Sequence, residues 1–226
     1  GITVALKHFN RNNRNNEYKH FVKELKSLKK LDHPNIIHFY GITKGYNSDR
    51  YCLVLEYANN RNLRNYLQTN KLDWKEKKRI ATEISLGLLY LHKNEIIHRD
   101  FHSKNILICD KRVKIADFGL SKAIESTELI KSELIAMISY VEPQCLMQDF
   151  YKHDKRSDIY SLGVIFWEIS SGKPPFEHHS HYGVLKKILK ELSVPNTPVL
   201  YKELYTKCWD YDPKKQPEIR SVCNEL

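Results

Sequence analysis

The sequence predicts an α+β fold in two parts, a small β-rich lobe followed by a larger helical one. Three observations predict it. Short runs of β-formers occupy the chain up to Tyr57, helical periodicity takes over after the polar stretch Asn59-Asn60-Arg61-Asn62, and 41% hydrophobic residues suffice for a sizeable core.

In order, Ile2 to Phe9 alternates and reads as a strand, and Asn10 to Asn16 as a loop. Between Glu17 and Leu31 a helix is expected, because Phe21, Leu25 and Leu28 recur at helical spacing with lysines on the other faces; Asp32-His33-Pro34-Asn35 stops it. Strands are expected over Ile36 to Ile42 and Tyr51 to Tyr57, the second buried on both faces through Cys52 to Leu55. The boundary between the two parts falls near Ala58 to Asn62. A long helix then starts near its N-cap Asp73, striped by Ile80, Ile84, Leu88 and Leu91. Ile106 to Ile108 and Val113 to Ile115 form a hairpin around Asp110-Lys111. From Asp158 onward an apolar helix carries Ile159, Leu162, Ile165, Phe166 and Ile169 and ends at Gly172, ahead of Pro174 and Pro175. No internal repeat is visible.

Composition excludes several function classes. With 226 residues and 11% aromatics the chain is neither disordered nor low-complexity, and no run of 18 apolar residues spans a membrane. No secretion leader is visible. Five cysteines without CxxC spacing argue against a disulfide framework or a zinc ribbon, which makes reduced thiols in the cytoplasm the expectation. The formal charge of +10 lies wholly in residues 1–130, which hold 24 basic and 14 acidic side chains, against 13 of each afterwards. Such an excess attracts anions, although lysines on solvated helix faces account for much of it. His178, His179 and His181 lack partners at ligand spacing and read as a surface loop rather than a metal site, and Lys75 to Arg79 reads as a solvated helix face without interleaved aromatics rather than a nucleic-acid site.

Four segments in fixed order carry the chemistry: Val4-Ala5-Leu6-Lys7 on a strand, Glu24 on the next helix, His98-Arg99-Asp100 with Asn105, and Asp117-Phe118-Gly119. Each alone is weak, whereas order and spacing together are specific. With His33-Pro34-Asn35, Ser157-Asp158-Ile159-Tyr160-Ser161-Leu162-Gly163 and Gly172-Lys173-Pro174-Pro175-Phe176, the whole chain resembles the eukaryotic protein kinase domain, and His98 to Asn105 resembles its tyrosine-kinase-like branch. The resemblance implies the two-lobed kinase fold, with residues 1–58 forming a partial N-lobe through the hinge and residues 59–226 the C-lobe. It implies ATP and Mg²⁺ as cofactors, protein substrates as partners and transfer of the γ-phosphate to a serine or threonine hydroxyl.

Phosphoryl transfer asks a protein chiefly to position two groups and to neutralise phosphate charge. By resemblance, Lys7 meets the α/β-phosphates while Glu24 holds it, and Ala5 and Leu107 sandwich the adenine against a hinge of Glu56, Tyr57 and Ala58 with Leu55 behind. Asp100 accepts the hydroxyl proton, Lys104 assists at the γ-phosphate, and Asn105 and Asp117 hold metal, carboxylate and amide oxygens being suited to a hard cation. Arg99 binds a phosphorylated or acidic group on the following loop, where Ser126, Thr127 and Ser132 are the expected acceptors. Leu28, Phe39, His98 and Phe118 stack into a column resting on Asp158.

The sequence also departs from the family. The Gly-rich loop would precede Val4 and is not among these residues, so either the sequence is part of a longer protein or nucleotide binds without that lid. Gln144 and Gln216 stand where the family has an acid and an arginine joined as a buried ion pair, and are expected to face each other as a hydrogen-bonded amide pair. His102 replaces a common lysine, Met137 a common threonine and Arg61 a common glycine. The alternative to an active enzyme is a catalytically impaired pseudokinase or scaffold using the same fold for protein contacts. Retention of Lys7, Glu24, Asp100, Asn105 and Asp117 together speaks against it.

Overall fold

The computed structural model describes residues 1–8, 21–22, 24–45, 51–118, 138–147, 151, 153–175 and 194–226. A three-stranded antiparallel sheet comes first: β1 (Val4–His8), β2 (Phe39–Lys44) and β3 (Tyr51–Glu56), in the order β1-β3-β2. Residues 24–28 are helical. Among the described residues, the regular structure that follows is helical save for one hairpin. It comprises α1 (Leu63–Thr69), α2 (Trp74–Lys93), the hairpin β4 (Ile106–Cys109) and β5 (Arg112–Ile115), α3 (Pro143–Met147), α4 (Lys155–Ser171), α5 (Val199–Cys208) and α6 (Ile219–Glu225).

Sheet register fixes what faces the site. Ala5 pairs with Leu55 and Lys7 with Leu53, so these four side chains share one face at the two-residue strand period. The strand expected over Ile36 to Ile42 begins instead at Phe39. Ile36 and Ile37 are buried and spent elsewhere: Ile37 N donates to Ile115 O at 2.9 Å and Ile115 N to Asn35 O at 2.9 Å. Residues 35–37 therefore stitch the sheet lobe to β5. The strand β3 is fully buried only at Cys52 and Leu53, not throughout, because its other half lines an open cleft.

The helical lobe is built around α2 and α4. Asp73 caps α2 as expected, its carboxylate accepting the Glu76 N–H at 2.8 Å, and Ile80, Ile84, Leu88 and Leu91 are all buried. Each such burial stabilises by about 1.5–3 kcal/mol. The turn of the hairpin places Asp110 and Lys111 both at positive φ (48° and 66°), the geometry of a two-residue type I′ connection. Helix α4 starts three residues before the expected Asp158, because Asp154 and Ser157 form a reciprocal capping box; it ends at Gly172 with φ 68°. The helix is buried almost all round, which makes it the central post of the lobe. At Gly163 it touches α5 so closely that an added Cβ would lie 2.9 Å from Tyr205 O and Trp209 N.

Candidate active site

The sheet lobe delivers Lys7 into the cleft between the lobes. Its ammonium lies 2.8 and 3.0 Å from the two Glu24 carboxylate oxygens and 2.9 Å from Asp117 Oδ1. Glu24 is only 2% exposed, projected inward from the helix one turn before buried Leu28. Burial opposes charge on Lys7, but Glu24 and Asp117 outweigh it and raise the lysine pKa, so the ammonium stays charged. Asp117 follows β5 at a positive φ of 66°, which turns its carboxylate back toward Lys7.

The second half of the site lies on the loop from His98 to Asn105. Asn105 Nδ2 donates to Asp100 O at 2.8 Å and to Asp100 Oδ2 at 3.0 Å, leaving the Asn105 amide oxygen facing away from these bonds. His102 Nε2 comes to 3.3 Å from Asp100 Oδ1 without closing a hydrogen bond. Burial pushes the Asp100 pKa up, but His102 and Asn105 prevail and hold it below the usual aspartate value. Asp100 is therefore a carboxylate at neutral pH. Lys104 lies part-exposed on the short turn Ser103–Asn105, between Asp100 and the hairpin.

This loop is held from below by Asp158, in the first turn of α4. Its carboxylate accepts the N–H of His98 at 2.9 Å and of Arg99 at 3.0 Å, and meets His92 Nε2 at 2.9 Å. Those bonds hold Arg99 at φ 68°, a conformation costing a non-glycine residue about 1–2 kcal/mol. His98 is buried, and burial depresses its pKa, so the neutral ring donates from Nε2 to Ala116 O at 3.0 Å. Its ring lies 5.4 Å from Phe118, one contact of the expected column; Leu28 is buried and Phe39 part-buried in the core.

The hinge segment is placed by β3 and by the chain beyond it. Glu56 N donates to His38 O at 2.9 Å, and the Glu56 carboxylate meets Lys114 Nζ at 2.9 Å. Neither the N–H nor the C=O of Ala58 has a backbone partner among the described residues, and Tyr57 is exposed. Leu107 is bridged to Asn62 just past the hinge, while Ala5 and Leu55 sit opposite each other on the cleft face of the sheet. Arg61 keeps a positive φ of 60°, the conformation of the glycine it replaces. Arg99 is exposed beside Asp100; Ser126, Thr127, Ser132, Gly119, Met137 and His178 to His181 lie outside the described residues.

One expected contact is corrected. Gln144 and Gln216 do not hydrogen-bond to each other: Gln144 Nε2 donates to Tyr211 O at 3.2 Å, and Gln216 Nε2 donates to Asp210 O at 3.0 Å while its Oε1 has no partner. An amide, unlike a carboxylate or guanidinium, can donate to a main-chain carbonyl without stranding a charge.

Sequence reasoning missed a buried polar cluster under the same loop. Arg64 on α1 donates from Nε to Ser103 Oγ at 3.2 Å and to Glu168 Oε1 at 3.3 Å, and from its terminal nitrogen to Tyr140 OH at 3.0 Å. Ser103 Oγ donates to Glu168 Oε1 at 2.9 Å, and Tyr140 OH donates to Glu168 Oε2. Glu168 is 1% exposed, and burial raises its pKa against these partners. The available signal was a carboxylate in the apolar C-terminal half of α4, which demands partners.

A model of the protein tyrosine and serine/threonine kinase family matches residues 1–226. The chain is 31% identical over 238 residues to a tyrosine-protein kinase transmembrane receptor of Drosophila melanogaster, covering 100% of the chain and 34% of that protein. It is 32% identical over 236 residues to a dual specificity protein kinase of Dictyostelium discoideum, covering 100% of the chain and 17% of the relative. With a serine/threonine/tyrosine-protein kinase of Arabidopsis thaliana it shares 30% identity over 207 residues, 88% of the chain and 52% of that protein. The chain thus spans about half or less of the length of each. Among the described residues no helix is long and apolar enough to cross a membrane.

Proposed function

The chain belongs to the family of protein tyrosine and serine/threonine kinases, and from that premise we propose that it transfers the γ-phosphate of ATP to a serine or threonine hydroxyl of a protein. The observation that carries this reading is the closed contact of Lys7 with both Glu24 and Asp117, with Asp100 fixed by Asn105 on the facing loop. A scaffold needs neither a charged lysine drawn into a cleft nor a carboxylate held ionised beside it.

Members of the family generally use ATP and Mg²⁺. The donor set present here fits a hard cation: the Asp117 carboxylate, whose Oδ1 is steered by Lys7, and the Asn105 amide oxygen, freed by the donation of Nδ2 to Asp100. Bound there, Mg²⁺ would neutralise phosphate charge. Lys7, held by Glu24, binds the α/β-phosphates. Ala5, Leu55 and Leu107 pack the adenine, and the hinge from Glu56 through Tyr57 to Ala58 offers it backbone groups. Asp100 orients the attacking hydroxyl and takes its proton, and Lys104 supplies positive charge near the γ-phosphate. Arg99, exposed beside Asp100, receives a phosphorylated Ser126, Thr127 or Ser132. The division into residues 1–58 and 59–226 is supported by the reciprocal bonds of Asn59 and Asp110, which tie the chain to the hairpin directly after Ala58. A cytoplasmic location is supported by three buried thiols, Cys52, Cys109 and Cys208.

The test is transfer of radiolabelled phosphate from ATP by the full-length protein beside Asp100→Asn and Lys7→Met. Asp100→Asn is expected to lower the rate about 10²–10⁴-fold with nucleotide affinity retained, and Lys7→Met to weaken both. Equal transfer by the wild type and Asp100→Asn would discard the base; absence of both transfer and Mg·ATP binding in the wild type would select the scaffold reading.

A further inference from the structure

A second concavity lies away from the nucleotide cleft, where the C-terminal end of α2, the N-terminal end of α4 and residues 214–220 converge. It encloses about 810 Å³, within the range of ligand sites. Its walls carry five permanent cations, Lys93, Lys155, Arg156, Lys214 and Arg220, against three carboxylates, an excess of two positive charges. The carboxylates are partly committed. Glu95 is paired to Lys155 at 2.7 Å, and Asp154 caps α4, accepting the Arg156 N–H at 2.7 Å. Glu218 stands at the start of α6. The side chains of Lys93, Arg156, Lys214 and Arg220 have no hydrogen bond or ion pair to another described residue. On the floor Gln216 is buried, with Oε1 lacking a partner; its donation from Nε2 to Asp210 O fixes the amide in that orientation.

We propose that this groove is a docking site for a phosphorylated peptide segment, with a phosphoserine or phosphothreonine as its anchor. Charge complementarity selects the ligand. A phosphomonoester carries −1.5 to −2 charges at neutral pH, which matches the excess of two, and its three oxygens accept from ammonium and guanidinium donors. The unpaired Gln216 acceptor calls for an N–H donor, which a peptide backbone supplies and a bare phosphate does not. Glu95, Asp154 and Glu218 interrupt the cationic wall. They repel an extended polyanion such as nucleic acid while tolerating one compact dianion between Arg156 and the Lys214–Arg220 side.

Fluorescence anisotropy on the full chain tests this, with a labelled Gly-Ser peptide bearing one phosphoserine and its unphosphorylated twin. The phosphopeptide is expected to bind at least tenfold tighter than the twin, and the difference to shrink as salt rises from low ionic strength to about 0.15 M. Lys214→Ala/Arg220→Ala, both exposed positions, should erase at least nine tenths of that preference with an unchanged thermal midpoint, whereas Lys7→Met in the nucleotide cleft should leave it intact. Equal binding of the two peptides, an undiminished preference in the double variant, or loss of preference in Lys7→Met with retention in the double variant would each overturn the assignment. Capture of phosphatidylserine vesicles that the double variant abolishes, with both peptides bound equally, would give the groove to a membrane surface and overturn it as well.

Discussion

Replacing Arg64 by methionine isolates the electrostatics beneath the phosphate-transfer loop. The substitution keeps most of the side-chain length and removes the cation from Glu168. Arg64 is 11% and Glu168 1% exposed, with Nε 3.3 Å from Oε1. At an effective dielectric of about 20, that separation corresponds to about 5 kcal/mol of Coulomb attraction. Ser103 and Tyr140 continue to donate to the carboxylate in the variant. The net loss should therefore fall at about 3–5 kcal/mol, the usual consequence of stranding one member of a buried pair.

The pH dependence distinguishes this account from a simple packing defect. Burial already raises the Glu168 pKa above 4.5, and removal of the guanidinium raises it further. A carboxyl whose folded pKa is raised takes up a proton on folding. Its contribution to stability is complete below the unfolded value and is lost as pH rises through the folded value. The penalty of Arg64→Met relative to wild type should thus shrink as pH falls, by up to about 1.4 kcal/mol per unit in the window between the two folded values. Urea unfolding from pH 7.5 to pH 5.5 measures it. Arg64→Met/Glu168→Gln should recover much of the loss at pH 7.5. A penalty flat in pH, or a double variant no better than the single, would refute the reasoning.

Three further outcomes follow from local geometry. Gly163→Ala should destabilise by about 1–3 kcal/mol in urea, because the new methyl meets the main chain of Tyr205 and Trp209 at 2.9 Å and neither can step aside. Arg61→Gly should raise the thermal midpoint, relieving about 1 kcal/mol at φ 60°; a lower midpoint would show that the arginine side chain compensates. Asp73→Ala should cost about 1 kcal/mol through the lost Glu76 N–H acceptor, and Asp73→Asn should restore most of it.

What was legible in the sequence is what is local. The period of Ile80, Ile84, Leu88 and Leu91 and the Asp73 cap sit within one helix, so the start and the buried face of α2 were legible, though not its end at Lys93. The hairpin needed only two short apolar runs and a turn. Lys7, Glu24 and Asp117 meet across separations of 17 and 110 residues, which no periodicity encodes. There the ordered motifs and the family resemblance carried the expectation that Glu24 holds Lys7; the direct bond of Lys7 to Asp117 was not expected. The start of β2 escaped because Ile36 and Ile37 have the composition of a strand, while the backbone bonds on either side of Ile36, from Asn35 and Ile37, go to Ile115 on β5, almost 80 residues later. Arg64, Ser103, Tyr140 and Glu168 escaped for the same reason: each is unremarked in its own segment, and their meaning arises only where four segments meet.

The glutamine pair shows why even a correct chemical premise did not give the contact. Loss of both charges removes any need for the two side chains to meet, since each amide nitrogen donates to a main-chain carbonyl instead. The carbonyls they found belong to neighbours, Asp210 and Tyr211, on the segment linking α5 to the turn at Pro213. Gln144 from α3 and Gln216 from beyond that turn therefore fasten the same two residues from two directions. An ion pair would join two side chains directly and depend on both; this arrangement joins them through the main chain between them. Loss of either amide leaves the other bond in place, so tolerance of single substitutions is built into the altered anchor, at the expense of the Gln216 oxygen left unpaired on the floor of the cationic groove.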